Sequence, residues 1–210
     1  MRHPDMLEDL PAYEASAADR DRSEKPVWQQ DQRARFAARL APDGAVGHSR
    51  RVLELGAGTG KDSAYFVRAG HTVIATDATP AMVEHCRAKG LDARVMDMTT
   101  FDLPPESFDA AYAMNSLLHI PNADLPAVLR RIREVLVPGE LFFLGVYGGD
   151  GSEGVWVQDW HRPPRFFSLR TDAQLVSYVE ACFEVVDFHV IELDGDRPWF
   201  QSCTLRRPDS

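Results

Sequence analysis

The stretch Leu53–Phe66, LELGAGTGKDSAYF, gathers residue types that could cradle a ligand. Glycines stand at 56, 58 and 60, Glu54 precedes them and Lys61 follows. Glycine permits left-handed backbone and close approach of the chain to a bound molecule. Two further carboxylates recur at telling intervals: Asp77 lies 21 residues after Gly56, and Asp97 lies 20 after Asp77. The first interval suits a carboxylate that accepts hydrogen bonds from ribose hydroxyls.

Three ligand classes compete for such a turn. A triphosphate loop needs GxxxxGK and then Ser or Thr. Here Leu55 stands where the first glycine belongs, and Asp62 replaces the magnesium-binding hydroxyl. A dinucleotide fingerprint needs GxGxxG. Counting from Gly56, Lys61 occupies the sixth place, and the third glycine comes one residue early at Gly60. Glu54 is also poorly placed beside a diphosphate. It is well placed beside a cation, and S-adenosylmethionine (SAM) carries a sulfonium and an ammonium. Asp97, in "VMDM", is then placed to accept a bond from the exocyclic amine of adenine.

Alternating strands and helices must position these groups. "RVLEL", Thr72–Asp77, Ala93–Met96, Phe108–Met114 and the apolar Leu141–Tyr147 read as buried strands. Between them, helices are predicted at Gly60–Ala69, at Pro80–Lys89 with Thr79 as N-cap, and across "DLPAVLRRIREVLVPGE". A further helix is predicted over 27–41. Residues 1–26 read as polar and loosely ordered, and 42–49 as a loop. A loop of about twenty residues leads to a helix at Thr171–Cys182 and strands at Phe183–Leu193 and Trp199–Arg206. The pattern predicts one α/β, Rossmann-like, doubly wound domain. Its seven-stranded sheet should be mostly parallel, with an antiparallel C-terminal strand and helices on both faces.

From Arg51 to Tyr147 the chain resembles the class I SAM-dependent methyltransferases, in the small-molecule group that includes quinone-biosynthesis C-methyltransferases. "VLELGAGTG", "VIATDATPAMV", "VMDM", "FDAAYAMNSLLHIP" and "VLVPGELFFLGVY" carry the resemblance together. It implies that Gly56, Gly58 and Gly60 line the methionine part of SAM, and that Glu54 orients the turn or reaches the ammonium indirectly. Asp77 would bind ribose, Ala78 and Met82 would pack on adenine, and Asp97 with the Met98 N–H would bind the adenine edge. Asn115 would contact the methionine moiety. Tyr13-Glu14 resembles the tyrosine-acid pair with which such chains open, but Arg20 stands where a second tyrosine is expected. The implied division is an N-terminal lid segment and helix over 1–41 and a methyltransferase domain over 42–210.

Methyl transfer from a sulfonium is an in-line displacement, so the protein mainly aligns donor and acceptor. His119, after the fourth strand, and Tyr147, at the end of the fifth, are the candidate catalytic residues; for His119 a packing role is the stronger reading, and for Tyr147 the two readings weigh equally. The segment 148–170 is rich in aromatic and charged side chains and reads as a lid over the acceptor. Trp160, His161, Arg165 and Phe166 are its candidate acceptor contacts, with Trp28 closing the other side. The acceptor is expected to be a small molecule, and the demethylated product S-adenosylhomocysteine (SAH).

Composition narrows the rivals. A net charge of −9 argues against nucleic acid as partner. Asn115-Ser116-Leu117 also lacks the Pro-Pro-aromatic sequence of base-modifying relatives. A SAM-binding regulator without catalysis remains the other alternative. No run reaches the length of a membrane span. Cys86, Cys182 and Cys203 form no CxxC pair, which fits a reducing cytoplasm rather than a disulfide framework or zinc site.

Overall fold

A computed structural model describes residues 10–41, 49–157, 159, 161–193 and 199–209. Two helices come first, α1 (Leu10–Arg22) and α2 (Val27–Leu40). They are followed by β1 (Arg51–Leu55), α3 (Lys61–Arg68), β2 (Thr72–Asp77), α4 (Pro80–Ala88), β3 (Asp92–Val95) and β4 (Phe108–Met114). A 3-10 turn at Leu117–His119 leads to α5 (Leu125–Val135) and β5 (Leu136–Tyr147). The chain then forms β6 (Ser152–Val155), β7 (Phe166–Leu169), α6 (Asp172–Glu180), β8 (Glu184–Ile191) and β9 (Phe200–Arg206).

The main sheet has the order β3-β2-β1-β4-β5-β9-β8. Strands β1 to β5 run parallel, and β9 enters antiparallel between β5 and β8. From β1 the chain winds outward to β2 and β3, then returns to place β4 on the other side of β1. That reversal opens a crevice at the C-terminal ends of β1 and β4, where α/β sheets bind ligands.

The central strands are largely apolar because both faces are covered. Leu53 and Leu55 point to one side, where the α5 stripe Leu125, Val128, Leu129, Ile132 and Val135 packs with Leu175 and Val179 of α6. Val52, Ala110, Tyr112 and Phe143 face Phe36 and Leu40 of α2 and Phe66 of α3 on the other. Tyr112 stacks on Phe143 with ring centroids 4.9 Å apart.

Four expectations change. Leu10–Arg22 is a helix, although it reads as loose polar chain. Its buried face is small, Ala12, Ser16 and Ala17, so no apolar stripe marks it. Helix α5 ends at Val135, and Leu136 to Glu140 already belong to β5. Val137 precedes Pro138, which disfavours helical backbone there. Thr79 stands at the N-cap of α4 but its side chain makes no cap bond; Asp77 Oδ1 accepts the Thr79 N–H instead, at 2.9 Å. The long loop contains a hairpin, β6 paired antiparallel with β7.

Candidate functional site

A cavity of about 560 Å³ lies in the crevice. One end is lined by Asp77, Ala78, Met82 and Met98, the other by His119, Tyr147, Arg165 and Phe167. Helix α1 forms part of the wall through Tyr13, Ser16 and Arg20.

The glycine turn is built around Asp77. Its Oδ2 accepts the Gly58 N–H at 2.9 Å, while Oδ1 holds Thr79. Burial raises the Asp77 pKa, against the two N–H bonds that favour its charge. Gly58 has φ +54°, and a Cβ there would meet no protein atom within 4 Å. Gly56 has φ +72°, and a Cβ would lie 2.3 Å from Ser116 Cβ. Glycine therefore lets the turn after β1 touch the turn after β4, where Ser116 Oγ donates to Leu55 O at 2.8 Å. Gly60 does not line the cavity; it sits against Leu91 and Cys86 at the start of α3.

Two carboxyl groups lie beneath this turn. Glu54 is buried and accepts from Ser63 Oγ. Burial, aided by the nearby Asp62 carboxylate, pushes its pKa up to about 8. Asp62 receives Lys25 Nζ at 2.5 Å and Arg33 Nη1 at 2.9 Å. Asn115, directly after β4, has φ +56°, a conformation that is strained for a residue with a Cβ. Its N–H donates to Gly145 O at 2.8 Å, but its Oδ1 is buried with no hydrogen-bond partner. A buried orphan acceptor on strained backbone in a cavity calls for a donor from a ligand. Asp97 does not line the cavity and accepts from Thr99 N and Oγ1 at 2.8 and 2.7 Å.

At the other end His119 Nδ1 donates to Phe166 O at 2.7 Å, which fixes the tautomer. Its Nε2 then accepts the Tyr13 hydroxyl proton across 2.5 Å. Burial pushes the His119 pKa down to about 3. Arg165 Nη1 donates to the Tyr13 oxygen at 3.1 Å, while its Nε and Nη2 grip Asp159 at 2.7 and 3.0 Å. That grip, opposing burial, holds the Asp159 carboxyl well below the usual range. His161 lies behind, with Nδ1 near Asp159 and Nε2 accepting from Arg20 Nη2 at 3.3 Å.

The remaining candidate residues divide by position. Phe166 is buried away from the cavity, while its neighbour Phe167 lines it and packs on His119 at 4.9 Å. Trp28 packs on Phe200 at 4.6 Å and edgewise on Tyr147 at 6.4 Å, so it backs the wall rather than forming it. Trp160 lies outside the described residues. Sequence patterning misses Arg170, whose buried guanidinium bonds Asn122 Oδ1 at 2.7 Å and Ile120 O at 2.5 Å. It braces the turn that carries His119. Among the described residues no His, Cys, Asp and Glu cluster is arranged to hold a metal.

His119→Gln separates the structural role of this histidine from a basic one. The imidazole is neutral when folded and titrates near its ordinary 6.5 when unfolded. The unfolded chain therefore takes up the proton first. Stability from this group is complete above pH 6.5 and is lost as pH falls toward about 3, at up to about 1.4 kcal/mol per pH unit. Urea unfolding from pH 7 to 4 should show that slope reduced in the variant by up to about this amount; an identical slope would mean His119 is not buried neutral.

Comparison with known proteins follows this geometry. Residues 52–139 match the family model of a methyltransferase domain. The chain is 36% identical over 115 residues to a ubiquinone biosynthesis O-methyltransferase of Xanthomonas axonopodis, covering 51% of this chain and 45% of that one. It thus spans about half the length of that relative. Over 199 residues it is 27% identical to an uncharacterized methyltransferase of Oceanobacillus iheyensis, covering 89% of each. Its fold is similar to that of 1,6-didemethyltoxoflavin-N1-methyltransferase of Burkholderia thailandensis, solved with its substrate and SAH. The TM-score is 0.72 at 24% identity, over 100% of this chain and 92% of that one. The [4+2]-cyclase SpnF shares the fold at a TM-score of 0.68 and 20% identity, covering 98% and 96%.

Proposed function

From the match of residues 52–139 to a methyltransferase domain we propose that the protein transfers the methyl group of SAM to a small-molecule acceptor. The orphaned Asn115 Oδ1 carries the reading. It is a buried acceptor, and the SAM ammonium would be its donor. A phosphate would leave it unmatched and would face the Asp77 carboxylate.

The residues fit the cofactor along its length. Asp77 uses one lone pair of each oxygen on backbone N–H groups and keeps capacity for the ribose hydroxyls. Gly56 and Gly58 leave room for the methionine chain, and Ala78, Met82 and Met98 offer apolar walls to adenine. Asp97, outside the cavity and engaged by Thr99, is not part of this fit. Lys25, which sequence patterning does not single out, lies beside Met114 and Asp62 and would meet the SAM carboxylate. The bound cofactor supplies an activated methyl group. The chain's own task is to align the acceptor and exclude water.

Tyr147, Phe167 and Arg165 form the acceptor wall, with Trp28 and His161 behind them. Helix α1 and the segment 148–170 act together as a lid over the domain, joined where Tyr13 meets Arg165. His119, with both ring nitrogens bonded and a low basicity, orients Tyr13 and does not act as the base. No described helix is long and apolar enough to cross a membrane, and the three unpaired cysteines suit a cytoplasmic protein.

SAH release from SAM, followed with a panel of phenols, amines and carboxylic acids, tests the proposal. Turnover with one of them is expected. SAM binding without turnover on any acceptor would favour a non-catalytic role, and turnover only on nucleic acid would move the acceptor class. Phe167→Ala should raise the KM for the acceptor by roughly tenfold or more, as expected for a largely buried aromatic wall lost from a pocket. SAH affinity should change little. A collapse of SAH affinity with normal acceptor use would put Phe167 on the cofactor side.

A further inference from the structure

Four cationic side chains line the cavity: Arg20, Lys25, Lys61 and Arg165. Three are engaged. Lys25 meets Asp62, Arg165 is clasped by Asp159, and Lys61 bonds the backbone carbonyls of Arg20 and Ser23. Arg20 differs. Among the described residues no carboxylate lies within 4.0 Å of its guanidinium. Its Nε donates to Ser16 Oγ at 3.2 Å and one Nη2 hydrogen to His161. Of its five N–H donors, those on Nη1 and the second on Nη2 have no such bond.

This guanidinium is expensive where it stands. Burial and the nearby Arg165 disfavour its charge, and Tyr13, Asp77 and Asp159 offset them without forming an ion pair with it. It lies 4.8 Å from the Tyr13 ring centroid, between Asp77 on one side and Arg165 and His161 on the other, and lines the same cavity as Phe167 and Tyr147. The local groups are also poor proton sinks. His119 already holds the Tyr13 proton in a hydrogen bond, and Asp159 is occupied by Arg165. Neither of these two groups is free to receive a proton from an acceptor.

We infer that the methyl acceptor is an aromatic or conjugated acid bound as its anion, with the negative group on the Arg20 guanidinium and the ring between Tyr13, Phe167 and Tyr147. The inference rests on the methyltransferase reading and specifies its substrate class. A planar guanidinium with adjacent unengaged donors suits a carboxylate or a delocalised enolate in two-point contact.

The test uses matched acid and amide pairs: benzoate with benzamide, 4-hydroxybenzoate with 4-hydroxybenzamide, and indole-3-carboxylate with indole-3-carboxamide. Each is titrated calorimetrically into SAH-saturated protein. At least one acid should bind about tenfold or more tighter than its amide, as hydrogen bonds to a charged acceptor require. Arg20→Gln should bring that pair within about twofold, and Arg20→Lys, which keeps the charge but loses the planar fork, should retain only part of the preference. A structural role for Arg20 would alter affinity without altering acid-over-amide selectivity. Binding of no acid, equal binding of acids and amides, or selectivity that survives Arg20→Gln overturns the inference. So does a loss of SAH affinity in Arg20→Gln with selectivity intact, which would assign the guanidinium to the cofactor carboxylate. Failure of wild-type protein to bind SAH at all would instead count against the methyltransferase reading.

Discussion

Gly58→Val is expected to abolish detectable SAM binding while the domain stays folded. With φ at +54°, a side chain there is strained by about 1–2 kcal/mol, against a typical domain stability of about 5–15 kcal/mol. Nothing in the protein lies within 4 Å of the new Cβ, so the steric load falls on the cavity's occupant. Gly60→Val makes the contrast. Its Cβ would lie 2.6 Å from Leu91 Cδ1 and 2.8 Å from Cys86 Sγ, so that variant should lose stability. Circular dichroism melts with SAH titrations distinguish the two. A folded Gly58→Val with wild-type SAH affinity would put the cofactor elsewhere.

Asp77→Ala should weaken SAH by about 10- to 150-fold, the worth of hydrogen bonds to a charged acceptor. It should also lower stability, by about 1–3 kcal/mol, because Asp77 anchors two backbone N–H groups. A carboxylate at the end of a strand would ordinarily bond only water in an empty site. In the fold Asp77 ties the glycine turn to the start of α4 through Gly58 and Thr79. Asp77→Asn keeps one acceptor oxygen and should lose less of both. The 2′-deoxy analogue of SAH isolates the ribose contribution: its penalty should be large in wild type and small in Asp77→Ala. Equal penalties would mean that Asp77 shapes the turn without reading the ribose.

What was legible in the sequence follows from how strongly burial constrains each segment. β1, β2 and β4 have the predicted bounds because strands covered on both faces are continuous apolar runs between polar ends. The glycine turn and Asp77 were legible because their spacing is tied to those strands. Helix α1 was not, since it is held by small residues and by polar bonds from Tyr13, Arg20 and Asp21 to distant segments. The same distance hides Arg20, Lys25 and Arg170, whose partners lie 37 to 141 residues away. Phe166 and Phe167 illustrate register: adjacent strand residues face opposite ways, and which of them reached the cavity depended on the pairing of β6 with β7. The strain at Asn115 depends on the return of β5 beside β4, where Gly145 takes its N–H.

The central claim is that the cavity at the Gly56–Gly58 turn holds SAM. Calorimetric titration of the wild-type protein and Gly58→Val with SAM, SAH, MgATP and NADH tests it most directly. The account predicts heat from SAM and SAH on wild type, none from either on the variant, and none from MgATP or NADH on either protein. No heat with SAM and clear heat with MgATP or NADH, lost in Gly58→Val, would contradict it.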